Sequence, residues 1–119
     1  MKRGEIWVAN LNPSRGREVG KIRPVLIIQA NELIDADSPM IVVLPLTMQV
    51  RTEFKLLRVT IPARDRLKQT CQVILDQPRA LDRARLGEGP LTRLTRNEMD
   101  AVERGLKVTL GMHQQGPIS

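Results

Sequence analysis

The residues best suited to chemistry lie between Asn12 and Pro24, where Arg15, Arg17, Lys21 and Arg23 surround one acid, Glu18, and glycines stand at 16 and 20. Guanidinium groups stay protonated and fork onto two phosphate oxygens, and glycine lets the backbone approach a phosphate closely. The pattern suits a polyanion. Across residues 1–30, six cations (these four with Lys2 and Arg3) face two acids, Glu5 and Glu18, so +4 of the net +6 charge falls in the first quarter of the chain. The cationic neighbours keep Glu18 ionised, as a general base must be, while making it a weaker one. The loop lacks the spacing of a nucleotide P-loop, so a nucleoside triphosphate site is not expected. An inert, solvated basic surface is the competing reading, and charge alone does not separate the two.

Composition narrows the function classes. Fourteen of the 19 cations are arginines, which tilts the partner towards phosphate or carboxylate. Trp7 and Phe54 are the only aromatics, so a surface built on stacked aromatic platforms is not expected and any grip on nucleic acid is electrostatic. One cysteine, Cys71, and one histidine, His113, cannot supply a usual zinc site, so chemistry without metal or cofactor is expected. The apolar run at 39–46 is too short to span a bilayer, and no apolar h-region follows the basic N-terminus; a cytoplasmic protein is expected. At 119 residues with 41% apolar content, the chain reads as a single domain, 1–119, with a loose tail at 112–119.

The elements that must position these residues are mainly β. Residues 5–11, 24–29, 40–46, 56–61 and 71–75 read as short strands, and 78–81 begins another. Prolines 24 and 45 belong at an edge or bulge, where a missing N–H is tolerated. Such a sheet tends to curl into a small barrel. The end of the chain is helical: Thr95 and Glu98 form a capping box, Leu94 and Met99 a hydrophobic staple, and Met99, Val102, Leu106 and Leu110 share one face, with Gly111 as the stop. Gly105 inside this helix costs about 1 kcal/mol relative to alanine, and marks either close packing or a weak point. Trp7 and Cys71 are expected in the core. Loops at 12–22 and 48–55 are where function is expected on such a scaffold.

Several separated motifs in order, namely RGEIWVANLNPSRG, Glu18 with Gly20, RPVLIIQ, VLPLT ending at Thr47 and LDQPRALDRARL at 75–86, resemble the MazF/PemK/Kid family of toxin endoribonucleases. The match runs in register from Arg3 to the C-terminal helix. The resemblance implies a mainly β fold with α, an SH3-like small β-barrel carrying a C-terminal helix. It also implies a homodimer and metal-independent, sequence-specific cleavage of single-stranded RNA, held in check by a cognate acidic MazE-like antitoxin. The antitoxin would compete with RNA for the basic surface.

The resemblance also assigns roles. Arg23 matches the family's catalytic arginine and Thr47 its active-site threonine, while Glu18 matches a loop glutamate and is the candidate base. Arg17, Lys21, Asp76, Gln77 and Arg79 are candidate substrate-binding residues. Gln77 is a possible reader of a base edge, and Asp76 a possible orienter of Arg23 or Arg79. Cleaving RNA without metal uses the 2′-hydroxyl as nucleophile, which requires proton removal, charge stabilisation at phosphorus and departure of the 5′-oxygen. The chain departs from some members in carrying Arg17 where they have a histidine and Ile74 where they have an arginine, so their proton-transfer scheme does not carry over. His113, in the tail, does not replace that histidine. Two other readings stay open: a CcdB-like topoisomerase-binding toxin, disfavoured because the chain ends in GPIS without tryptophan, and a non-catalytic RNA-binding barrel.

Overall fold

A computed structural model describes residues 1–13, 15–17, 20–54 and 56–112 of the chain. Strand β1 (Glu5–Asn10) begins immediately after Gly4, whose φ of +93° turns the chain into the sheet and is open to glycine at little cost. β2 (Ile22–Ile27) runs back antiparallel to it, with Trp7 opposite Val25 and Ala9 opposite Arg23. A five-residue helix, α1 (Asn31–Asp35), leads to β3 (Met40–Thr47), followed by β4 (Arg58–Ile61), β5 (Cys71–Ile74), β6 (Arg79–Asp82) and β7 (Thr92–Arg93). Helix α2 (Arg96–Thr109) closes the described chain.

The strands join in the order β4-β5-β3-β2-β1-β7, with β6 added to β3. β3 is the hub. Its first half pairs with β6 through Met40 to Val43, and its end pairs with β5, Leu46 opposite Val73 and Thr47 opposite Gln72. One strand serving two partners along the same edge is how a small sheet curls on itself.

The central strands are buried on both faces, which is why their sequences show apolar runs rather than alternation. Val25 and Ile27 of β2, with Ile41 and Val43 of β3, join Leu11, Ile34 and Leu81 in one cluster. The intervening Leu26, Leu44 and Leu46 join Ile6, Ile61, Val73, Leu75 and Val102 in the other, beneath α2. Cys71 is buried in this second cluster. Trp7 packs against the first from a half-buried position, its Nε1 donating to Glu5 at 3.0 Å.

Helix α2 begins as the capping box requires: Thr95 Oγ1 accepts from the Glu98 N–H at 3.2 Å, and the Glu98 carboxylate accepts from the Thr95 N–H at 2.8 Å. Leu94 and Met99 meet in the core cluster, with Val102 buried and Leu106 packed against it. Leu110 differs from expectation. It is the C-cap residue, past the last helical turn, and is exposed. Gly111 follows with φ +70°, the left-handed stop expected there.

Two elements escaped the sequence. α1 is too short to show a period, and tertiary bonds hold it: the Arg83 side chain donates to Ile34 O at 2.7 Å and the Arg3 N–H to Asn31 Oδ1 at 2.8 Å. β7 is two residues long and is ordered by pairing to Glu5 and Ile6. β2 also starts earlier than expected, at Ile22, so Pro24 sits inside the strand rather than at its head.

Candidate active site

The site begins where the β2–β3 ladder ends. Pro24 stands opposite Val8, whose N–H turns away from β2 to Glu88 O at 2.8 Å, so Pro24 directs its nitrogen towards β3. A proline has no N–H to give there. The pairs Ile27–Val43, Leu26–Leu44 and Val25–Pro45 form, and the ladder stops. Beyond it the strands part around a cleft of about 300 Å³ lined by Lys21, Ile22, Arg23, Pro24, Leu46, Thr47, Met48 and Gln49. Carrying the register two residues on from Val25–Pro45 sets Arg23 opposite Thr47, on one face of the sheet.

Arg23 is half-buried and anchored through Nε, which donates to Gly20 O at 2.9 Å. Its two terminal nitrogens have no partner among the described residues, so the fork is open to an anion. Thr47 is 7% exposed, and its Oγ1 accepts from the Gln49 N–H at 3.1 Å. That bond occupies a lone pair and leaves the hydroxyl proton to donate. A phosphodiester between these two groups would meet a planar cation on one side and a hydroxyl donor on the other.

The glycine loop is closed at its neck. The Leu11 N–H donates to Lys21 O at 2.8 Å, and the Lys21 N–H to Asn12 Oδ1 at 2.7 Å. Lys21 adopts φ +68°, a left-handed geometry uncommon outside glycine, and so directs its backbone into this double contact at the cleft edge. Arg79 Nη1 donates to Leu11 O at 3.2 Å, and Arg85 Nη1 to the carbonyls of Asn10 and Asn12. These cations brace the neck from below.

Of the residues proposed from sequence, Lys21, Arg23 and Thr47 share the cleft. Arg17 is exposed in the loop and is not among the residues lining the Arg23 cleft. Glu18 lies outside the described residues, as does His113. Asp76, Gln77 and Arg79 are not in the Arg23 cleft; with Pro78 they line a separate hollow of about 200 Å³. The expectation that Asp76 orients Arg23 or Arg79 is not met. Its exposed carboxylate sits at the turn after β5, and among the described residues no ion pair joins it to either arginine. A bond from Arg79 to Leu11 O joins the hollow to the neck of the loop.

Sequence reasoning passed over Gln72, which is buried in β5 directly opposite Thr47. A signal was available. A polar residue in the apolar run CQVIL has to be hydrogen-bonded if the strand is buried. Among the described residues no group of three or more His, Cys, Asp or Glu side chains is placed to hold a metal ion. No helix among the described residues is long and apolar enough to cross a membrane.

Fold and cleft together define a small, curled β-sheet protein with a C-terminal helix and an arginine–threonine cleft open to an anion. Residues 2–110 match the family described as PemK-like, MazF-like toxin of type II toxin-antitoxin system, and the chain belongs to that family. It is 35% identical over 114 residues to Endoribonuclease MazF of Staphylococcus saprophyticus, covering 95% of this chain and 93% of that one. Among solved structures, MazF from Deinococcus radiodurans superposes with a TM-score of 0.77 at 26% identity, over 94% of this chain and 97% of that one. A mycobacterial endoribonuclease in complex with its cognate antitoxin shares the fold with a TM-score of 0.75 at 23% identity, over 97% and 99% of the two chains.

Proposed function

We propose that this chain is the toxin of a type II toxin–antitoxin system and a sequence-specific endoribonuclease that cleaves single-stranded RNA without a metal ion. The observation that carries the reading is that the Arg23 fork, without a partner among the described residues, and the Thr47 hydroxyl line one cleft where β2 and β3 part.

In this reaction the 2′-oxygen attacks the adjacent phosphorus as its proton passes to a base, the bond from phosphorus to the 5′-oxygen breaks, and that oxygen takes up a proton. The products are a 2′,3′-cyclic phosphate and a 5′-hydroxyl. Arg23 holds two non-bridging oxygens and neutralises the charge that builds on the five-coordinate phosphorus. Thr47 donates to one of the same oxygens. Glu18 is the base that the family resemblance supplies. Arg17 and Lys21 draw in the phosphate backbone on either side, and Gln77 and Arg79, in their own hollow, contact nucleotides beyond the scissile bond. Asp76, exposed beside them, is open to a base or to the partner.

The +6 chain suits an acidic antitoxin of the MazE kind, which would occupy the same basic mouth and so block RNA. The protein acts in the cytoplasm, where its RNA is, and as a homodimer.

The test is to incubate purified protein with mixed-sequence RNA in EDTA and map the fragment ends. Cleavage with cyclic-phosphate ends, abolished by a 2′-deoxy substitution at the scissile step, is expected. Cleavage that persists without the 2′-hydroxyl overturns the mechanism. Tight, salt-sensitive binding with no product would mark a non-catalytic RNA-binding barrel instead.

A further inference from the structure

Gln72 is 4% exposed in the middle of an otherwise apolar strand, and it uses both ends of its amide on a loop. Its Oε1 accepts from the Arg51 N–H at 2.9 Å, and its Nε2 donates to Arg51 O at 3.4 Å and to Thr60 Oγ1 at 3.1 Å. The side chain therefore pairs with Arg51 as a neighbouring strand would, accepting from its N–H and donating to its carbonyl. Arg58 adds to this group, with Nη1 donating to Gln72 Oε1 at 3.4 Å and to Gln49 O at 3.3 Å.

Gln49 is the link to the cleft. Its N–H donates to Thr47 Oγ1, and with Met48 it forms one wall of the Arg23–Thr47 cleft. The chain leaving β3 is thus pinned at alternate residues: Thr47 in the ladder opposite Gln72, Gln49 on Thr47 and Arg58, and Arg51 on the Gln72 amide. Remove the last and residues beyond Gln49 lose their tie to β5, leaving the wall held only by the bonds of Gln49 to Thr47 and Arg58 among the described residues.

We propose that Gln72 is a positioning residue for RNA cleavage, holding the 48–51 segment so that the Thr47 hydroxyl and the Met48–Gln49 wall face the phosphate and the nucleotide beside it. The proposal rests on the ribonuclease reading above. Gln72 touches no substrate. It acts through Arg51 and Gln49, so its loss moves the wall rather than removing a charge or a hydroxyl.

The experiment compares parent, Gln72→Met and Thr60→Val in metal-free cleavage, with KM and kcat measured separately and cut sites mapped on mixed-sequence RNA. Methionine keeps the length of the side chain and deletes every bond to Arg51; Thr60→Val removes the outer anchor of the Gln72 amide and leaves the cleft untouched. Arg64→Gln, which breaks an ion pair remote from the cleft, serves as the control for general loss of stability. Gln72→Met is expected to lower kcat/KM by about tenfold to a hundredfold and to broaden the set of sequences cut, since small misplacements at a reacting centre cost that much. Thr60→Val is expected to shift both in the same direction by a smaller factor, and Arg64→Gln to melt earlier while cutting the same sites. Parent-like kcat/KM and an unchanged cut pattern in Gln72→Met overturn the proposal. If Gln72→Met does not fold, an unchanged cut pattern in Thr60→Val overturns it. Failure of the parent to cleave counts against the ribonuclease reading.

Discussion

Gly105 of α2 lies so close to the sheet that a Cβ built on it would stand 2.3 Å from Leu75 Cδ1. Leu75 is buried in the cluster beneath the helix, and its Cδ1 must shift to admit a Cβ. The glycine is therefore a packing residue, and its cost in helix propensity is offset by the approach it permits. Gly105→Ala would recover about 1 kcal/mol of propensity. Overpacking against Leu75 costs about 1–3 kcal/mol. The expected outcome is a net loss of stability in urea unfolding, with partial rescue in the double variant Gly105→Ala, Leu75→Val. A more stable single variant would refute the close contact.

Arg23→Ala and Thr47→Ala are each expected to reduce kcat by about 100-fold or more while leaving the melting temperature nearly unchanged, in line with removal of one donor to a developing anion. Among the described residues Arg23 makes one side-chain bond, to Gly20 O, and Thr47 one, from Gln49. Neither holds the core. Single-turnover cleavage and a thermal melt measure the two effects separately, and parent-like rates in both variants would remove Arg23 and Thr47 from the chemistry.

Arg79→Ala is expected to raise KM more than it lowers kcat, because Arg79 lines the hollow beside Gln77 and reaches the loop neck without entering the Arg23 cleft. Titration of cleavage rate against RNA concentration distinguishes this from a loss confined to kcat.

Acid should unfold the protein through two carboxylates. Glu98 is held below its ordinary pKa chiefly by Arg64, whose Nη1 and Nη2 donate to it at 2.8 and 2.6 Å. Burial pushes Glu5 up, but hydrogen bonds from Trp7, Arg93 and the Lys2 N–H together bring it below its ordinary value. A carboxylate with a lowered folded pKa adds stability that is fully present above its unfolded value of about 4.3 and is lost as pH falls through the folded one. Unfolding free energy is therefore expected to be flat above about pH 5 and to decline below it. Glu98→Gln should flatten part of that decline and lower neutral-pH stability by about 1–3 kcal/mol, since charged hydrogen bonds are lost. Urea midpoints from pH 3 to 7 give the comparison.

Cys71 is 1% exposed, its Sγ–H donates to Gln69 O at 3.3 Å, and burial raises its pKa. The thiolate is the reactive form. Labelling by a thiol reagent at pH 8 is expected to be slow in native protein and to accelerate with the unfolded fraction as urea is added. Rapid labelling without urea would place the thiol at the surface.

Much of the architecture was readable because local patterns are strong in this chain. Thr95 and Glu98 announce the start of α2 through a capping box that forms as expected, and the β-branched runs at 24–29, 40–46 and 71–75 announce strands that form within a residue or two. α1 and β7 were silent because five and two residues carry no period, and contacts with Arg83, Arg3 and β1 order them. At the site, Arg23 and Lys21 stood out by charge and Thr47 by family likeness. Gln72 did not, since its partner Arg51 lies 21 residues away in sequence.

Residue types and their order were enough to set the mainly β class, the capped terminal helix, the basic loop and membership of the toxin family, because each depends on local periodicity, on side-chain chemistry or on motifs met in sequence. Which of the charged and polar residues share a cleft was settled by pairing register. Pro24 ends the ladder with β3 and opens the mouth at Arg23 and Thr47, while the turn after β5 carries Asp76 and Gln77 into a separate hollow. Hydrogen-bond ladders bring together residues far apart in the chain, and a proline that cannot donate decides where such a ladder stops.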